Sequence, residues 1–166
     1  MKHLLLVRHA KSDWSDDSLR DFDRPLNDRG RHDAPLMARM LLRRGVRPTY
    51  LLSSPASRAY STARLFADEL GIAENDIALD ESLYEATTAQ ILAAAQALPP
   101  QHEVAAVFTH NPSLTSAIGQ FADDYIGNVP TCGVGHIELG DWRDAEPGGG
   151  RLADLWFPKE VLSAYD

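Results

Sequence analysis

The feature that most constrains the fold is an alternation of short apolar segments, of strand length, with segments that carry helix-capping residues. The apolar segments lie at residues 3–7, 49–53, 103–110, 133–139 and 150–157, with a weaker one at 76–80. Helices between strands let neighbouring strands run parallel, so this order predicts an α/β layered fold with a mainly parallel sheet. The last two segments have no helix between them and can pair as a hairpin, which would make the sheet mixed.

Four helices are predicted between the strands. The first ends before Gly45, a typical C-cap glycine, and begins at Asn27 or at Asp33, the later start placing Pro35 in the first turn. The other three helices cover residues 54–71, 87–99 and 111–125. Their predicted N-caps are polar residues, namely Ser54 with Pro55 at the first helical position, Thr87 or Thr88, and Asn111 with Pro112 at the first helical position.

The length of the chain sets its domain organisation. Its 166 residues suffice for one compact domain with a sizeable core, so residues 1–166 are expected to form a single domain. Cys132 is the only cysteine, which excludes an intrachain disulfide, and it is expected to be a small buried hydrophobic residue rather than a catalytic thiol. No apolar stretch is long enough to span a membrane and no signal-peptide pattern is present, so a cytoplasmic location is expected.

Charge is spread unevenly along the chain. The formal net charge of −8 argues against a general nucleic-acid-binding protein. Residues 1–64, however, hold 13 of the 16 Lys and Arg residues and only 7 of the 24 Asp and Glu residues. Solvated faces can cluster in this way, but the basic excess also suits an anion site built by the first third of the chain.

Three predicted strands end in polar side chains of related chemistry. The first ends at Arg8 and His9, the second is followed by Arg58 one helical turn beyond its end, and the third ends at His110. The carboxyl ends of parallel strands share one edge of the sheet, where ligands bind. Guanidinium groups match phosphate oxygens, a neutral imidazole can attack phosphorus, and a second imidazole, if protonated, can donate to an equatorial oxygen. The pattern therefore predicts a phosphoryl site.

Two other interpretations of these histidines are open. His9 and His110 could be structural residues, although the coincidence of matching strand ends favours a site. They could also be metal ligands, but no HxH, HExxH or His-Asp cluster accompanies them and the neighbouring arginines would repel a cation, so no metal is expected. The remaining histidines lack such a context and are expected to be ordinary strand, helix or loop residues, namely His3, His32, His102 and His136.

The motifs that carry this pattern resemble a known family. They are, in chain order, LLLVRHAKSDWS, RPLNDRGRHDA, LLSSPASRAYSTA, LYEA and VFTHNP. Together they are similar to the signature of the histidine phosphatase superfamily, also called phosphoglycerate mutase-like, from residue 3 to about residue 157. Ala10, the segment DFDRPLNDRG and the short chain resemble the SixA-like phosphohistidine phosphatase branch. The resemblance implies a three-layer α/β/α sandwich with a mixed sheet.

The resemblance also implies roles for individual residues. His9 is the nucleophile that becomes phosphohistidine, and the rest of the implied phosphate pocket consists of Arg8, Arg58 and His110. Ser15 stands where many relatives have an asparagine that contacts phosphate. Asn111, within the VFTHNP motif, is a further candidate for substrate binding.

Two further candidate residues, Glu85 and Arg24, each have a competing interpretation. Glu85 matches the proton donor of the family, with Glu81 as a nearby competitor and a solvated loop carboxylate as the plain alternative. Arg24 is either a substrate contact or the partner of Asp21 or Asp23 in a loop salt bridge.

Three hypotheses follow. The first is a metal-independent phosphatase that forms phosphohistidine on His9 and dephosphorylates phosphohistidine in a protein. The second is a small-molecule phosphate monoesterase or a phosphoglycerate mutase-like phosphotransferase, and the third is a non-catalytic phosphate-binding module. The expected partner is a phosphorylated protein or a small phosphate ester, without a cofactor, a nucleic acid or a membrane.

Overall fold

A computed structural model describes residues 1–164 of the chain. The strands are β1 (Lys2–Arg8), β2 (Tyr50–Ser53), β3 (Ala78–Leu79), β4 (Val104–Thr109), β5 (Val134–Leu139) and β6 (Gly150–Trp156). The helices are α1 (Asp28–Arg43), α2 (Ser57–Leu70), α3 (Thr88–Gln96), α4 (Ser113–Gly119) and α5 (Pro158–Val161). Short 3-10 turns lie at Asp21–Asp23, Glu74–Asp76, Glu81–Leu83, Trp142–Asp144 and Leu162–Ala164.

The six strands form one mixed sheet in the order β3-β2-β4-β1-β5-β6. The first four strands of this order run parallel, and β5 pairs antiparallel with both β1 and β6. The predicted α/β architecture and the terminal hairpin are therefore confirmed. Strand β1, which His9 follows directly, lies inside the sheet, between β4 and β5.

Alternate side chains of β1 enter two separate cores. Leu5 packs in one core with residues of α1 and α2, and Leu4 packs in the other with residues of α3 and α4. Each fully buried aliphatic side chain contributes roughly 1.5–3 kcal/mol. Helices therefore cover both faces of the sheet, which confirms the three-layer sandwich. Because β1 is packed on both faces, it gives rigid support to the residues that follow it, beginning with His9.

Two of the predicted helix starts are confirmed. Asn27 caps α1, because its side-chain oxygen accepts a hydrogen bond from the Gly30 N–H, so the alternative start at Asp33 is wrong and Pro35 lies in the helix interior. Thr87 caps α3 in a reciprocal capping box with Gln90.

The other two predicted N-caps are wrong. Helix α2 has Ala56 as its N-cap and α4 has Pro112, and α4 ends at Gly119 instead of continuing to residue 125. The Ser54 side chain bonds to His110 instead, and Asn111 donates to the Val129 carbonyl before β5 while its oxygen accepts from the Thr115 N–H of α4. The tertiary contact thus outweighs the local capping preference at Ser54, whereas Asn111 makes both kinds of hydrogen bond.

Cys132 is fully buried, as expected, and burial raises the pKa of its thiol. None of the helices within residues 1–164 combines the length and apolar character of a membrane span.

Candidate active site

His9 immediately follows β1, and only 7% of the residue is exposed. Its Nδ1 lies 2.8 Å from the Ala10 carbonyl oxygen, which can only accept a hydrogen bond. Nδ1 therefore carries the proton, and the lone pair of the neutral ring is on Nε2. Burial, together with the nearby charges of His110, Arg58 and Arg8, lowers the pKa of His9 to about 3. At neutral pH the ring is uncharged and has a nucleophilic nitrogen.

The backbone around His9 is held from several directions. Its N–H donates to the Thr109 carbonyl at 3.2 Å, and the Cys132 N–H donates to the His9 carbonyl at 3.0 Å. The next residue, Ala10, donates its N–H to the Thr62 hydroxyl at 2.9 Å. These bonds connect the loop after β1 to β4, α2 and the segment before β5, so the imidazole has a fixed position.

Arg8 is anchored at one end of its guanidinium group. Nη1 donates to the Val129 carbonyl oxygen at 3.0 Å, whereas Nε is buried without a partner in residues 1–164. Burial lowers the pKa of Arg8 below its usual value, although arginine remains a cation in proteins. The free Nε–H is a donor that an anion can satisfy.

His110 follows β4 and lies beside His9. The two ring centroids are 5.3 Å apart, and the rings are inclined at 53°. His110 Nε2 lies 2.8 Å from the Ser54 hydroxyl oxygen, and Nδ1 is buried with no partner among the described residues. Burial is the main cause that lowers the pKa of His110 to about 4, helped by the charge of Arg58. The ring is therefore neutral at neutral pH, which differs from the protonated donor considered from the sequence.

Arg58 reaches the same site from the first turn of α2, and 11% of its side chain is exposed. Its guanidinium group donates to the backbone oxygen of Asp21 at 2.7 Å and to the Asp21 carboxylate at 2.9 Å. The Tyr84 hydroxyl donates to the same carboxylate at 2.8 Å, and the Tyr84 ring packs edge-on against His110 at 5.7 Å. Burial and the Asp21 carboxylate raise the pKa of Tyr84 to about 12, so the phenol remains a donor.

Ser15 and Asn111 are engaged away from the pocket. The N–H and the hydroxyl of Ser15 both bond to the exposed Asp13 carboxylate. The Asn111 amide nitrogen donates to the Val129 carbonyl at 3.0 Å, and its oxygen accepts from the Thr115 N–H. Asn111 therefore steadies the same carbonyl that anchors Arg8, and direct substrate contact by either residue stays a prediction.

Arg24 is buried under an exposed aromatic ring. Its guanidinium carbon lies 3.7 Å from the ring centroid of Trp14, which is 63% exposed. Nη1 lies 3.3 Å from the Asp13 carbonyl oxygen, and Nε has no partner within residues 1–164. The two aspartates that were its possible partners pair with other arginines, Asp21 with Arg58 and Asp23 with Arg20.

Glu85 has an uncommon backbone conformation. Its φ of 54° lies in the left-handed region, which costs a non-glycine residue about 1 kcal/mol or more. Its side chain is exposed beside Tyr84, whereas Glu81 is exposed within a 3-10 turn of ordinary geometry. Of the two glutamates, only Glu85 has the backbone strain that often accompanies functional positions.

The sequence does not predict three residues as parts of the site: Ser54, Asp21 and Tyr84. It predicts Ser54 as a helix cap and gives Asp21 as a possible partner of Arg24, and only the LYEA motif points towards Tyr84. Across residues 1–164, no group of three or more His, Cys, Asp and Glu side chains is placed to hold a metal ion.

Comparison with known proteins identifies the family. Residues 4–91 match the family model described as histidine phosphatase superfamily, branch 1. An uncharacterized chloroplastic protein of Arabidopsis thaliana is 30% identical over 175 residues, which cover 97% of this chain and 80% of that protein.

Solved structures agree with this match. The protein assigned as phosphohistidine phosphatase SixA in Agrobacterium tumefaciens is 26% identical, with a TM-score of 0.79 over 93% of this chain and 97% of that one. A protein histidine phosphatase SixA solved with tungstate has the same fold, with a TM-score of 0.81 at 21% identity over 96% of this chain and 99% of that one. We conclude that the chain belongs to the histidine phosphatase superfamily, in its SixA-like branch, and is a phosphatase.

Proposed function

We propose that this phosphatase acts through a covalent phosphohistidine on His9 and that its substrate is phosphohistidine in a protein. The observation that carries the first part is the hydrogen bond from His9 Nδ1 to the Ala10 carbonyl, which leaves a buried lone pair on Nε2. Beside it are the unpartnered donors of Arg8 and His110, as expected where a phosphoryl group binds.

In the first step, the Nε2 lone pair of His9 attacks phosphorus in line. The bond from phosphorus to the leaving group breaks, and the leaving group departs with the electron pair. Arg8, Arg58 and His110 hold the phosphoryl oxygens while charge moves onto them. These fixed donors supply the electrostatic stabilisation that a metal ion supplies in other phosphatases, so the proposed reaction uses no cofactor.

In the second step, water attacks the phosphorus of phospho-His9. The N–P bond breaks, its electron pair returns to Nε2, and inorganic phosphate leaves. We assign the proton transfers to Glu85, as acid towards the leaving group and then as base towards water. Arg24 is assigned to the substrate side of the pocket because its Nε is buried and unpartnered.

Two observations favour phosphohistidine in a protein as the substrate. The Agrobacterium protein that matches over almost the whole chain is assigned as a phosphohistidine phosphatase. Mutases of the superfamily carry long insertions that close over a small phosphorylated acid, and 166 residues leave little room for such a cover. A pocket without such a cover would admit a phosphorylated side chain on a protein surface.

The conformation of Glu85 favours a second candidate, a small phosphate ester. An ester releases an alkoxide, which needs a proton, whereas the imidazole released by phosphohistidine can already be protonated. A strained glutamate beside the site therefore suits ester hydrolysis.

The deciding experiment measures kcat/KM for a phosphohistidine-bearing phosphotransfer protein and for a panel of monoesters: an aryl phosphate, a sugar phosphate and phosphoglycerate. We expect a preference of at least about a hundredfold for the phosphohistidine protein, equivalent to about 2.7 kcal/mol in transition-state binding. The same preference for a monoester would replace the proposed substrate with the second candidate.

A further inference from the structure

We infer that Ser54 is a positioning residue that fixes the tautomer of His110. Its hydroxyl donates to His110 Nε2 and thereby holds the ring proton on Nδ1, the buried nitrogen with no protein partner. His110 can then donate a hydrogen bond to a phosphoryl oxygen while it is neutral. The identification of the ligand as a phosphoryl group rests on the proposed function, whereas the assignment of the His110 tautomer is independent of it.

The direction of the bond between Ser54 and His110 follows from the other contact of the hydroxyl. The Ala56 N–H approaches the Ser54 oxygen at 3.3 Å and can only donate to it. The single hydroxyl proton of Ser54 is therefore free to point at His110 Nε2, 2.8 Å away. Ser54 is completely buried, so bulk water does not compete for that proton.

The opposite tautomer of His110 would satisfy fewer of the hydrogen-bonding groups of Ser54 and His110. With the proton on Nε2, the Ser54 oxygen would accept two hydrogen bonds, and its own proton would lack an acceptor among the hydrogen-bond partners of Ser54 within residues 1–164. The Nδ1 lone pair would then face the oxygens of a bound phosphoryl group and repel them. A buried polar group left unsatisfied costs roughly 1–3 kcal/mol, so the Nδ1–H form is the stable one.

The tautomer matters only if the ring is neutral, because an imidazolium carries a proton on both nitrogens. Burial lowers the pKa of His110 to about 4, so the ring is neutral at pH 7. The charged and titratable groups near it are Arg8, His9, Arg58, Asp21 and Tyr84. His9 has a pKa of about 3 and Tyr84 of about 12, and the carboxyl of Asp21 has a lowered pKa, so His110 is the first of them to take up a proton as the pH falls from 7.

His9 and His110 thus share one tautomer but use opposite ends of the ring. His9 donates its Nδ1 proton to a backbone carbonyl and keeps its lone pair for phosphorus. His110 accepts at Nε2 from a serine and keeps its Nδ1 proton for oxygen. A backbone acceptor beside one ring and a hydroxyl donor beside the other are enough to make one histidine a nucleophile and the other a donor.

The first test reads the tautomer directly. Nitrogen-15 NMR of the imidazoles distinguishes Nδ1–H from Nε2–H in the ligand-free protein at pH 7. We expect His110 to be Nδ1–H in the wild type and to lose this preference in Ser54→Ala. An Nε2–H wild type, or an unchanged Nδ1–H signal in Ser54→Ala, would overturn the inference.

Ser53 offers a matched control. It is also completely buried at the end of β2, but its hydroxyl donates to the Ser54 carbonyl at 2.8 Å instead of contacting His110. Ser53→Ala removes a buried hydroxyl from the same place and should leave the His110 tautomer unchanged. Ser54→Thr keeps the hydroxyl and should retain Nδ1–H, and a Ser53→Ala protein that loses Nδ1–H would assign the effect to local packing and refute the inference.

The second test follows turnover of an aryl phosphate against pH. At pH 7.5, Ser54→Ala should lower kcat at least about tenfold with a smaller change in KM, since the lost bond acts on charge that develops during reaction. This deficit in kcat should shrink as the pH falls towards about 4, the pKa of His110, because protonation restores a proton to Nδ1. A deficit that stays constant with pH would contradict the tautomer role, whereas normal turnover by His9→Ala would contradict the proposed function and leave the NMR result intact.

Discussion

The ring centroids of His9 and His110 lie 5.3 Å apart, although the two residues are about a hundred positions apart in sequence. Within residues 1–164, neither ring is hydrogen-bonded to a carboxylate that would favour its cation: His9 bonds to a carbonyl and His110 to a serine. Two neutral imidazoles therefore stand beside two permanent cations, Arg8 and Arg58. This arrangement leaves His9, the proposed nucleophile, uncharged in a site of positive charge.

The first prediction concerns the nucleophile. His9→Ala should reduce turnover of an aryl phosphate by about a thousandfold or more, because it removes the Nε2 lone pair that attacks phosphorus in the proposed mechanism. Rapid quenching of the wild type with a labelled substrate should place the phosphate on His9. His102→Gln changes a half-buried histidine bonded to Thr49 and should keep full activity. Label on any residue other than His9 would refute the mechanism.

The second prediction concerns stability against pH. His9 and His110 titrate near 3 and 4 when folded, whereas an unfolded histidine titrates near 6.5. Between those values the unfolded chain binds more protons, so the free energy of unfolding should fall as the pH drops below about 6.5. Each histidine contributes a slope of about 1.4 kcal/mol per pH unit, which levels off below its folded pKa.

Urea unfolding at pH 7 and pH 5 measures this slope. The variants His9→Gln and His110→Gln should each lose less stability on acidification than the wild type. Paired carboxylates such as Asp21 contribute mainly below this window, because their stabilisation is lost only as the pH falls from the unfolded value towards their lowered folded pKa. Equal losses for the wild type and both variants would show that these rings are not held neutral.

The third prediction separates the two substrate classes through Glu85. Glu85→Gln should slow hydrolysis of an alkyl phosphate by about 10²-fold or more, and hydrolysis of a phosphoramidate by clearly less. Glu81→Gln removes a neighbouring exposed carboxylate and should change neither rate. Equal losses on both substrates in Glu85→Gln would contradict the role of Glu85 towards the leaving group.

The fourth prediction concerns the contact between α1 and the loop after His9. A Cβ on Gly30 would lie 2.3 Å from the Lys11 carbonyl oxygen, so Gly30→Ala should destabilise the protein by about 1–3 kcal/mol and lower kcat. Gly119, at the end of α4, has open space where a Cβ would stand. Gly119→Ala should be neutral or slightly stabilising in the same denaturant titration; a Gly30→Ala protein as stable as the wild type would contradict the clash.

Much of the site could be predicted because the carboxyl ends of parallel strands lie at the same edge of a sheet. Arg8, His9 and His110 directly follow apolar segments, and parallel pairing of Arg8 with Thr109 brings those strand ends together. The alternation of strand and helix segments predicts the fold. The absence of a helix between the last two apolar segments predicts the hairpin.

The parts that could not be predicted depend on partners distant in the sequence. Ser54 contacts His110 only because β2 and β4 pair with Ser53 opposite Phe108, and no local pattern gives that register. Asp21 is likewise matched with Arg58 by the docking of a 3-10 turn against α2. Sequence propensity predicts Ser54 and Asn111 as helix N-caps. The tertiary contact with His110 overrides this at Ser54, whereas Asn111 still accepts a hydrogen bond from the Thr115 N–H although Pro112 is the N-cap of α4.

The central position of β1 governs when activity can arise during synthesis. Of the six strands, β1 is synthesised before the other five, but its two edges are paired with residues 104–109 and 134–139, which follow much later in the sequence. A nascent chain that stops short of residue 139 exposes one edge of β1, the strand that precedes the proposed nucleophile His9. Because contacts between such distant segments form slowly, we expect His9 to reach its final position near the end of folding and a truncated chain to be inert.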